Sequence, residues 1–223
     1  MYRLIALLLV AASSTASPAS DWRGYDQSQA EHLQAMAEPT LNNLSALKGF
    51  RQRIRILVLP TFEAGYAIRI DIPRTGTPQI LVVSETGQGG YSPGKRKFIS
   101  KKAGDAETVK FVQATIRASN VETEPVEAGP ISGSDGKSDN DDAIVCMDGT
   151  MFFLEYVDAA GHHRVLKRHG CDLRFGKYRA IVPISVMMHG LANVPLPREV
   201  WNCVSIGNAC GGWESYWKLM DMP

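Results

Sequence analysis

The sequence has no excess of charge of either sign. It contains 24 lysine and arginine residues against 23 aspartate and glutamate residues. Proteins that bind nucleic acids usually carry a concentrated basic excess, so this balance argues against that class. Beyond the first nineteen residues, no apolar run reaches the about 20 residues that a membrane-crossing helix needs. We therefore expect a soluble mature chain with no membrane span and no nucleic-acid partner.

Motifs of several common catalytic classes are missing as well. The chain has no C-x-x-C, H-E-x-x-H, Walker A or G-x-G-x-x-G motif, and no internal repeat. Residues 90–94 match the G-x-S-x-G pattern of serine hydrolases, but Pro93 follows Ser92. Proline has no N–H to donate to an oxyanion, which that site requires of this residue. We interpret the segment as a glycine-rich loop and assign no catalytic residue, cofactor or metal.

Residues 1–19 form the most informative segment that is present. Arg3 precedes nine apolar residues, and small residues follow up to Ala19. This order is typical of a secretory signal peptide. The apolar stretch would span only about 14 Å as a helix, too short for a bilayer. We expect cleavage after Ala19 or Ala16, and a secreted or periplasmic location.

The chain has only four cysteines, all in its C-terminal half. They are Cys146, Cys171, Cys203 and Cys210. An even number behind a secretory signal favours two disulfide bonds, with three pairings open. We prefer Cys146–Cys171 and Cys203–Cys210.

A hairpin is the basis of the first pairing. Residues 150–157 and 162–169 have the pattern of two strands joined by a short turn. A four-residue loop would pair Tyr156 with Gly161 and place Cys146 opposite Cys171. The second pairing depends on the short turn-forming segment between Cys203 and Cys210.

Alternating apolar and polar residues predict an antiparallel meander in the N-terminal half. Its three strands cover residues 51–59, 67–72 and 79–84. On the first of them Arg51, Arg53 and Arg55 alternate with apolar side chains. We therefore expect one face of this sheet to be wet.

Helices are predicted before and after the meander. Thr40 precedes a short leucine-rich segment with helical spacing, and residues 106–118 carry an apolar helical face. After the hairpin, residues 174–182 indicate another strand, and Pro183 begins a helix. This order predicts an α+β fold, with antiparallel sheet or sheets, helices packed on one face, and a disulfide-stapled C-terminal half.

An acidic stretch divides the predicted organisation. Residues 20–120 form an N-terminal half of helix, meander and helix, and residues 121–142 a flexible acidic loop. Residues 143–223 form a C-terminal half of hairpin, helix and aromatic tail. We expect both halves to belong to one domain, with either one shared sheet or two.

Histidines and carboxylates around the hairpin are the one candidate for a reactive site. His162, His163 and His169 lie close in sequence to Glu155 and Asp148. In the predicted register Glu155 faces His162, but adjacent strand residues point to opposite faces, which argues against a zinc site. We interpret the group as a solvated cross-strand cluster. The alternative is a small secreted hydrolase that uses Glu155, His162 and Asp148 as acid, base or metal ligands.

Two clusters of like charge remain. The acidic cluster does not follow the order of a calcium-binding loop, and we interpret it as solvated. It consists of Asp135, Asp139, Asp141 and Asp142. The basic cluster is interpreted as a solvated face that an anionic partner could also contact. It consists of Lys95, Arg96, Lys97, Lys101 and Lys102.

The remaining candidates are predicted to be packed. Trp213, Tyr216 and Trp217 share one helical face and are expected in the core, as is His189 in its apolar helix. With no convincing catalytic group, we expect an exported, non-catalytic binding or accessory module of the cell envelope or extracellular space. Its partner would be a protein or an anionic envelope component.

Overall fold

The computed structural model describes Trp22 and residues 24–42, 47–126, 149–170, 173 and 180–205. Within them the chain forms six strands and four helices. The strands are β1 (Phe50–Leu59), β2 (Tyr66–Pro73), β3 (Gln79–Glu85), β4 (Arg96–Ala103), β5 (Met151–Val157) and β6 (His163–His169). The helices are α1 (Gln27–Ala35), α2 (Ala106–Ser119), α3 (Ile181–Ala192) and α4 (Arg198–Ser205). The predicted signal, the acidic cluster, the aromatic tail, Asp148 and three of the cysteines lie outside the described residues.

All six strands belong to one antiparallel sheet, in the order β4-β3-β2-β1-β5-β6. The α+β class and the predicted meander are confirmed, and β4 extends the meander by a strand. Strand β5 pairs with the free edge of β1, with Arg55 opposite Glu155. The two halves of the chain therefore share one sheet, in which β1 of the N-terminal half pairs with β5 of the C-terminal half.

The hairpin β5–β6 is present, but the predicted register is wrong. Tyr156 pairs with Arg164 rather than with Gly161, and Glu155 pairs with Val165 rather than with His162. The reason is the turn: the Asp158 carboxylate accepts from two backbone N–H groups, of Ala160 and His162, and Gly161 has φ 86°. The Asp158 N–H donates to the carbonyl of His162, and the Gly161 N–H donates to the carbonyl of Asp158, so a turn followed by a left-handed residue closes a three-residue loop at 159–161. The register argument for Cys146–Cys171 therefore fails.

One face of the sheet carries the main apolar core. Alternate residues of the central strands point to this face, among them Ile56, Ile68 and Leu154, all fully buried. Helices α2, α3 and α4 cover it with apolar side chains such as Val112 and Ile184. Helix α2 begins where predicted, with Asp105 as its N-cap.

The opposite face is covered too, which corrects the expectation of a wet face and of helices on one side only. Helix α1 buries Leu33 on this face, in a cluster with Leu57 and Phe153. Buried His32 on α1 also hydrogen-bonds Glu85 at the end of β3. This helix escaped prediction because its sequence is polar, and the residue that caps it, Asp26, precedes no apolar period.

Two other local predictions differ from the structure. Thr40 and the two residues after it are not helical. Helix α3 begins at Ile181, so the end of the predicted 174–182 strand is helical and Pro183 lies in the first turn. Proline is tolerated there because the first N–H groups of a helix have no partner within it. Residues 174–179 lie outside the described part of the chain.

Of the four cysteines, Cys203 lies within the described residues. It is buried near the end of α4, and its sulfur is not a free thiol. Both pairings stay predictions, because Cys146, Cys171 and Cys210 lie outside the description. None of the helices among the described residues is long and apolar enough to cross a bilayer.

Candidate functional site

An open cleft of about 610 Å³ lies at one end of the sheet, where β1 ends and β2 and β5 begin. We call it the strand-end cleft. Its described walls are the β1–β2 loop with Tyr66, the first residues before β5, and the connection from α3 into α4. The residues are Pro60, Thr61, Phe62, Glu63, Tyr66, Gly149, Thr150 and 194–199. A concave site of this volume lies within the range of about 300–1,000 Å³ that is typical of ligand pockets.

Two exposed aromatic side chains meet beside this cleft. Phe62, which lines it, is 61% exposed, and Tyr91 is 65% exposed, with 6.1 Å between the ring centroids. Tyr91 belongs to the glycine-rich loop between β3 and β4. A Cβ on Gly89 would lie 2.8 Å from the Cα of Leu59, and one on Gly90 2.7 Å from the Cα of Thr61. The glycines therefore allow the loop to lie against the cleft wall and present Tyr91 there.

This close packing accounts for the G-x-S-x-G match. A Cβ on Gly94 would lie 2.1 Å from the backbone nitrogen of Gly87. The two arms of the loop therefore need glycine where they come closest to each other. Ser92 pairs with Gln88 in an isolated antiparallel bridge. The segment joins strand to strand, and it does not form the strand-to-helix turn of a hydrolase nucleophile.

A buried hydrogen-bond chain lies behind the cleft and involves Tyr66 and His189. His189 Nδ1 is 2.6 Å from the carbonyl oxygen of Ser185, and its Nε2 is 2.8 Å from the Tyr66 hydroxyl. A carbonyl only accepts, so Nδ1 carries the proton and Nε2 accepts from Tyr66. The Tyr66 oxygen therefore offers the cleft only lone pairs.

Two carboxylates act on the same tyrosine. Burial raises the pKa of Tyr66, and the charges of Glu199 and Glu63 raise it further. Burial also lowers the pKa of His189 to about 4. Proton transfer from Tyr66 to His189 would create a phenolate next to two carboxylates, so the pair stays neutral near pH 7. This arrangement suits a fixed hydrogen-bond acceptor better than an acid–base catalyst.

Glu199 is held by the start of β5. Its Oε1 accepts from the Thr150 hydroxyl at 2.8 Å and from the Thr150 backbone N–H at 3.2 Å. The side chain also packs on Gly170, where a Cβ would lie 2.7 Å from its Cγ. Both contacts fix the carboxylate in the cleft wall.

Stability should fall as the pH is lowered from about 6.5 to about 4, because His189 must be neutral in the folded state. The unfolded chain binds a proton over this window and the folded chain does not, so protons favour unfolding. The full effect on the free energy of unfolding is about 3 kcal/mol. Urea unfolding at a series of pH values measures it.

Two variants control for other groups that titrate in this range. His189→Gln removes the titrating group, so its stability should fall less steeply than that of the wild type over this window. His162→Gln alters an exposed histidine and should follow the wild-type curve. Parallel curves for His189→Gln and the wild type would exclude His189 as the source.

Glu155 and His162, the two predicted hydrolase residues that the structure describes, are not brought together; Asp148 lies outside the described residues. Glu155 is fully buried on the face that α1 covers, where its carboxylate accepts from Arg55, Tyr25 and His163. His162 lies on the exposed turn and contacts Asp158 at 2.9 Å. The histidine that reaches Glu155 is thus His163, at 2.7 Å, because the register differs from the predicted one.

Glu155 belongs to a larger buried group, which we call the ion cluster. Its members are Tyr25, Glu38, Arg53, Arg55, Arg69, Asp71, Glu155 and His163. Burial acts to raise the pKa of Glu155, but Arg55, His163 and Tyr25 lower it below its ordinary value. A carboxylate that accepts hydrogen bonds from three side chains and has a lowered pKa is suited to a structural role rather than to proton transfer. No group of three metal-ligating side chains occurs among the described residues.

The predicted basic cluster lies along and beside β4, at an edge of the six-stranded sheet. Lys97 and Lys101 are exposed there, and the Lys102 ammonium reaches the carbonyl of Leu191 at 3.4 Å. Lysines on an edge strand hinder its pairing with other chains. This position gives the cluster a structural role that its sequence did not indicate.

Sequence reasoning missed the strand-end cleft because its walls come from distant parts of the chain. Tyr66 and His189 are separated by 123 positions, and Thr61 and Gly149 by 88. The local signals were Pro60 at the end of a predicted strand and the glycine-rich loop. Comparison with known proteins adds no relative: no family model, curated protein or solved structure matches this chain.

Proposed function

We propose that this chain is an exported binding module whose ligand site is the strand-end cleft, and that it has no catalytic activity of its own. The observation that carries the proposal is the cleft itself, with the exposed pair Phe62 and Tyr91 at its side. Exposed aromatic side chains next to a concave site are typical of interaction surfaces. Export is inferred from residues 1–19.

The chemistry of the site supports binding over catalysis. The Tyr66–His189 pair is held neutral, and Glu199 is anchored by Thr150. The hydrolase alternative, with Glu155, His162 and Asp148, has less support because donors fill the Glu155 carboxylate away from His162. Disulfide bonds in the C-terminal half, with Cys203–Cys210 as the preferred pair, would hold α4 and the cleft wall under extracellular conditions.

A ligand screen by nuclear magnetic resonance tests the proposal. The mature chain, labelled with nitrogen-15, is titrated with a library of fragments and short peptides. We expect ligands that shift the amide signals of Tyr66, Gly149 and Thr150. Phe62→Ser should weaken their binding by about fivefold or more, since a truncated aromatic anchor costs over about 1 kcal/mol.

Val126→Ser is the matched control, because Val126 is an exposed apolar residue, 52% accessible, that does not line the cleft. It should leave binding unchanged. A screen in which no ligand shifts the cleft signals would refute the proposal, as would turnover of generic ester, peptide or glycan substrates by the purified protein.

A further inference from the structure

We infer that the strand-end cleft binds a basic side chain, lysine or arginine, of an extended polypeptide partner. This inference rests on the proposed binding function and adds the chemistry of the ligand.

The polar side chains that line the cleft are mainly acceptors. The Tyr66 hydroxyl uses its proton in a hydrogen bond to His189 Nε2, and the Glu199 carboxylate has a second oxygen beyond the one that Thr150 binds. Glu63 adds an exposed carboxylate on the facing loop. A ligand that satisfies all three must bring several N–H donors, as an ammonium or guanidinium group does.

The charge of the cleft favours the same ligand. Glu63 and Glu199 both lie close enough to Tyr66 for their charges to act on its hydroxyl. Arg198 is the cation among the described lining residues, and its exposed side chain leaves two carboxylates to one guanidinium. A ligand cation between these carboxylates would form charge-assisted hydrogen bonds, which are about twice as strong as neutral ones.

The walls select a cation on an apolar stem. Pro60, Phe62, Pro195 and Pro197 line the cleft and offer little to hydrogen-bond. Aliphatic stems of lysine and arginine pack on such surfaces while their charged ends reach polar groups. The ring of Phe62 can also attract a cation that passes over its face. The volume of about 610 Å³ accommodates more than one side chain, so residues flanking the basic one would contact the walls.

The test uses isothermal titration calorimetry with the mature oxidised protein and blocked pentapeptides of the form Ala-Phe-X-Phe-Ala. X is lysine, arginine, norleucine or glutamate, and spermidine serves as a cation that lacks a polypeptide chain. We expect the lysine and arginine peptides to bind at least about tenfold more tightly than the norleucine peptide, a difference of about 1.4 kcal/mol. Added salt should reduce this difference.

Variants locate the effect. Glu63→Gln and Glu199→Gln should each reduce the affinity for the lysine peptide about fivefold to tenfold, without affecting norleucine. Glu63 is exposed, so its variant tests the inference even if Glu199→Gln disturbs the contact with Thr150. Glu107→Gln, on the exposed surface of α2, should leave binding unchanged.

The outcomes separate the inference from the proposed function. Equal binding of the norleucine and lysine peptides would overturn the inference and leave an apolar binding site. Spermidine binding as tightly as the lysine peptide would overturn the assignment to a polypeptide. Cleft ligands found in the screen without any preference for cations would overturn the inference alone, whereas an empty screen would remove the proposed function as well.

Discussion

Replacement of Glu155 by glutamine should lower the free energy of unfolding by about 3–5 kcal/mol, because it leaves the buried Arg55 guanidinium beside a neutral partner. Both side chains are 1% exposed or less, and the Arg55 guanidinium donates a hydrogen bond directly to the Glu155 carboxylate. Arg55 retains Glu38 at 3.3 Å and the carbonyl of Pro39 at 2.7 Å, which is why the loss should stay within this range. Urea unfolding of the variant at pH 7 measures the change.

A double-mutant cycle shows whether the loss belongs to the pair. Arg55→Met should cost a similar amount, since it leaves Glu155 and Glu38 without that cation. The double variant Arg55→Met/Glu155→Gln should cost less than the two single changes together, because neither charge of the pair remains. Additive losses would contradict a direct coupling. Lys110→Gln, in an exposed pair with Glu107, is the control and should have no measurable effect.

The Glu155 carboxylate also makes the free energy of unfolding depend on pH in the acid range. The pKa of Glu155 is lower in the folded protein than in the unfolded chain. Its contribution is therefore complete above the ordinary glutamate pKa near 4.5 and is lost as the pH falls through the lower folded value. Most of the His189 window, from about 6.5 to about 4, lies above this one, so the two titrations can be separated in one pH series.

Replacement of Arg168 by methionine should lower the free energy of unfolding by about 3 kcal/mol or more. Arg168 on β6 is fully buried and donates to the Glu124 carboxylate at 2.8 Å. It also donates to the carbonyls of Pro125 and Val126. The other oxygen of Glu124 accepts from the Ala180 backbone at the start of α3, at 2.7 Å. One guanidinium thus joins the sheet, the segment after α2 and the next helix.

Arg168→Lys provides a graded comparison. Lysine keeps the charge but lacks the planar fork that reaches several acceptors, so it should recover only part of the loss. Arg117→Met, at an exposed site on α2, is the matched control and should change stability little. Equal stability of the lysine variant and the wild type would show that charge alone suffices. The measurement is urea unfolding, with hydrogen exchange at Ala180 as a local readout.

The strands were predictable because their apolar residues alternate. The period of two places Ile54, Ile56 and Val58 on one face of β1, and the structure buries them there. The same period placed Arg53 and Arg55 on the other face, which was predicted to be wet. Sequence alternation shows which residues share a face, but it does not show what covers that face.

The burial of the other sheet face, by α1 and by the partners of its charged residues, could not be predicted, for a physical reason. The charges there are neutralised by partners on other elements, among them Glu155, which is 100 positions from Arg55. Polar α1 has almost no apolar period, and it is held by Leu33, by the His32–Glu85 pair and by neighbouring contacts. Local patterns contain no information about such distant partners. The register error at Gly161 was different, since an Asp-x-x-Gly turn with a left-handed glycine can be recognised in advance.

The strand-end cleft, like the ion cluster, could not be predicted from local sequence patterns. Phe62, Tyr66 and Glu199 are unremarkable as isolated sequence positions, and His189 was predicted only to be packed. His189 is indeed fully buried, but it also determines the direction in which the Tyr66 hydroxyl donates its hydrogen bond. That directional role depends on the Ser185 carbonyl on the far side of the imidazole.

The central position of β1 also determines the order in which the protein can fold. The strands β1 to β4 are close in sequence and can pair early, but β1 then has an open edge until β5 arrives from about 100 positions downstream. Contacts between distant segments form slowly, and an unpaired strand edge can capture another chain in the meantime. A nascent chain that ends before β5 would expose that edge together with Arg55, which would lack its partner Glu155. Folding of this protein therefore depends on a step that only the second half of the chain can complete.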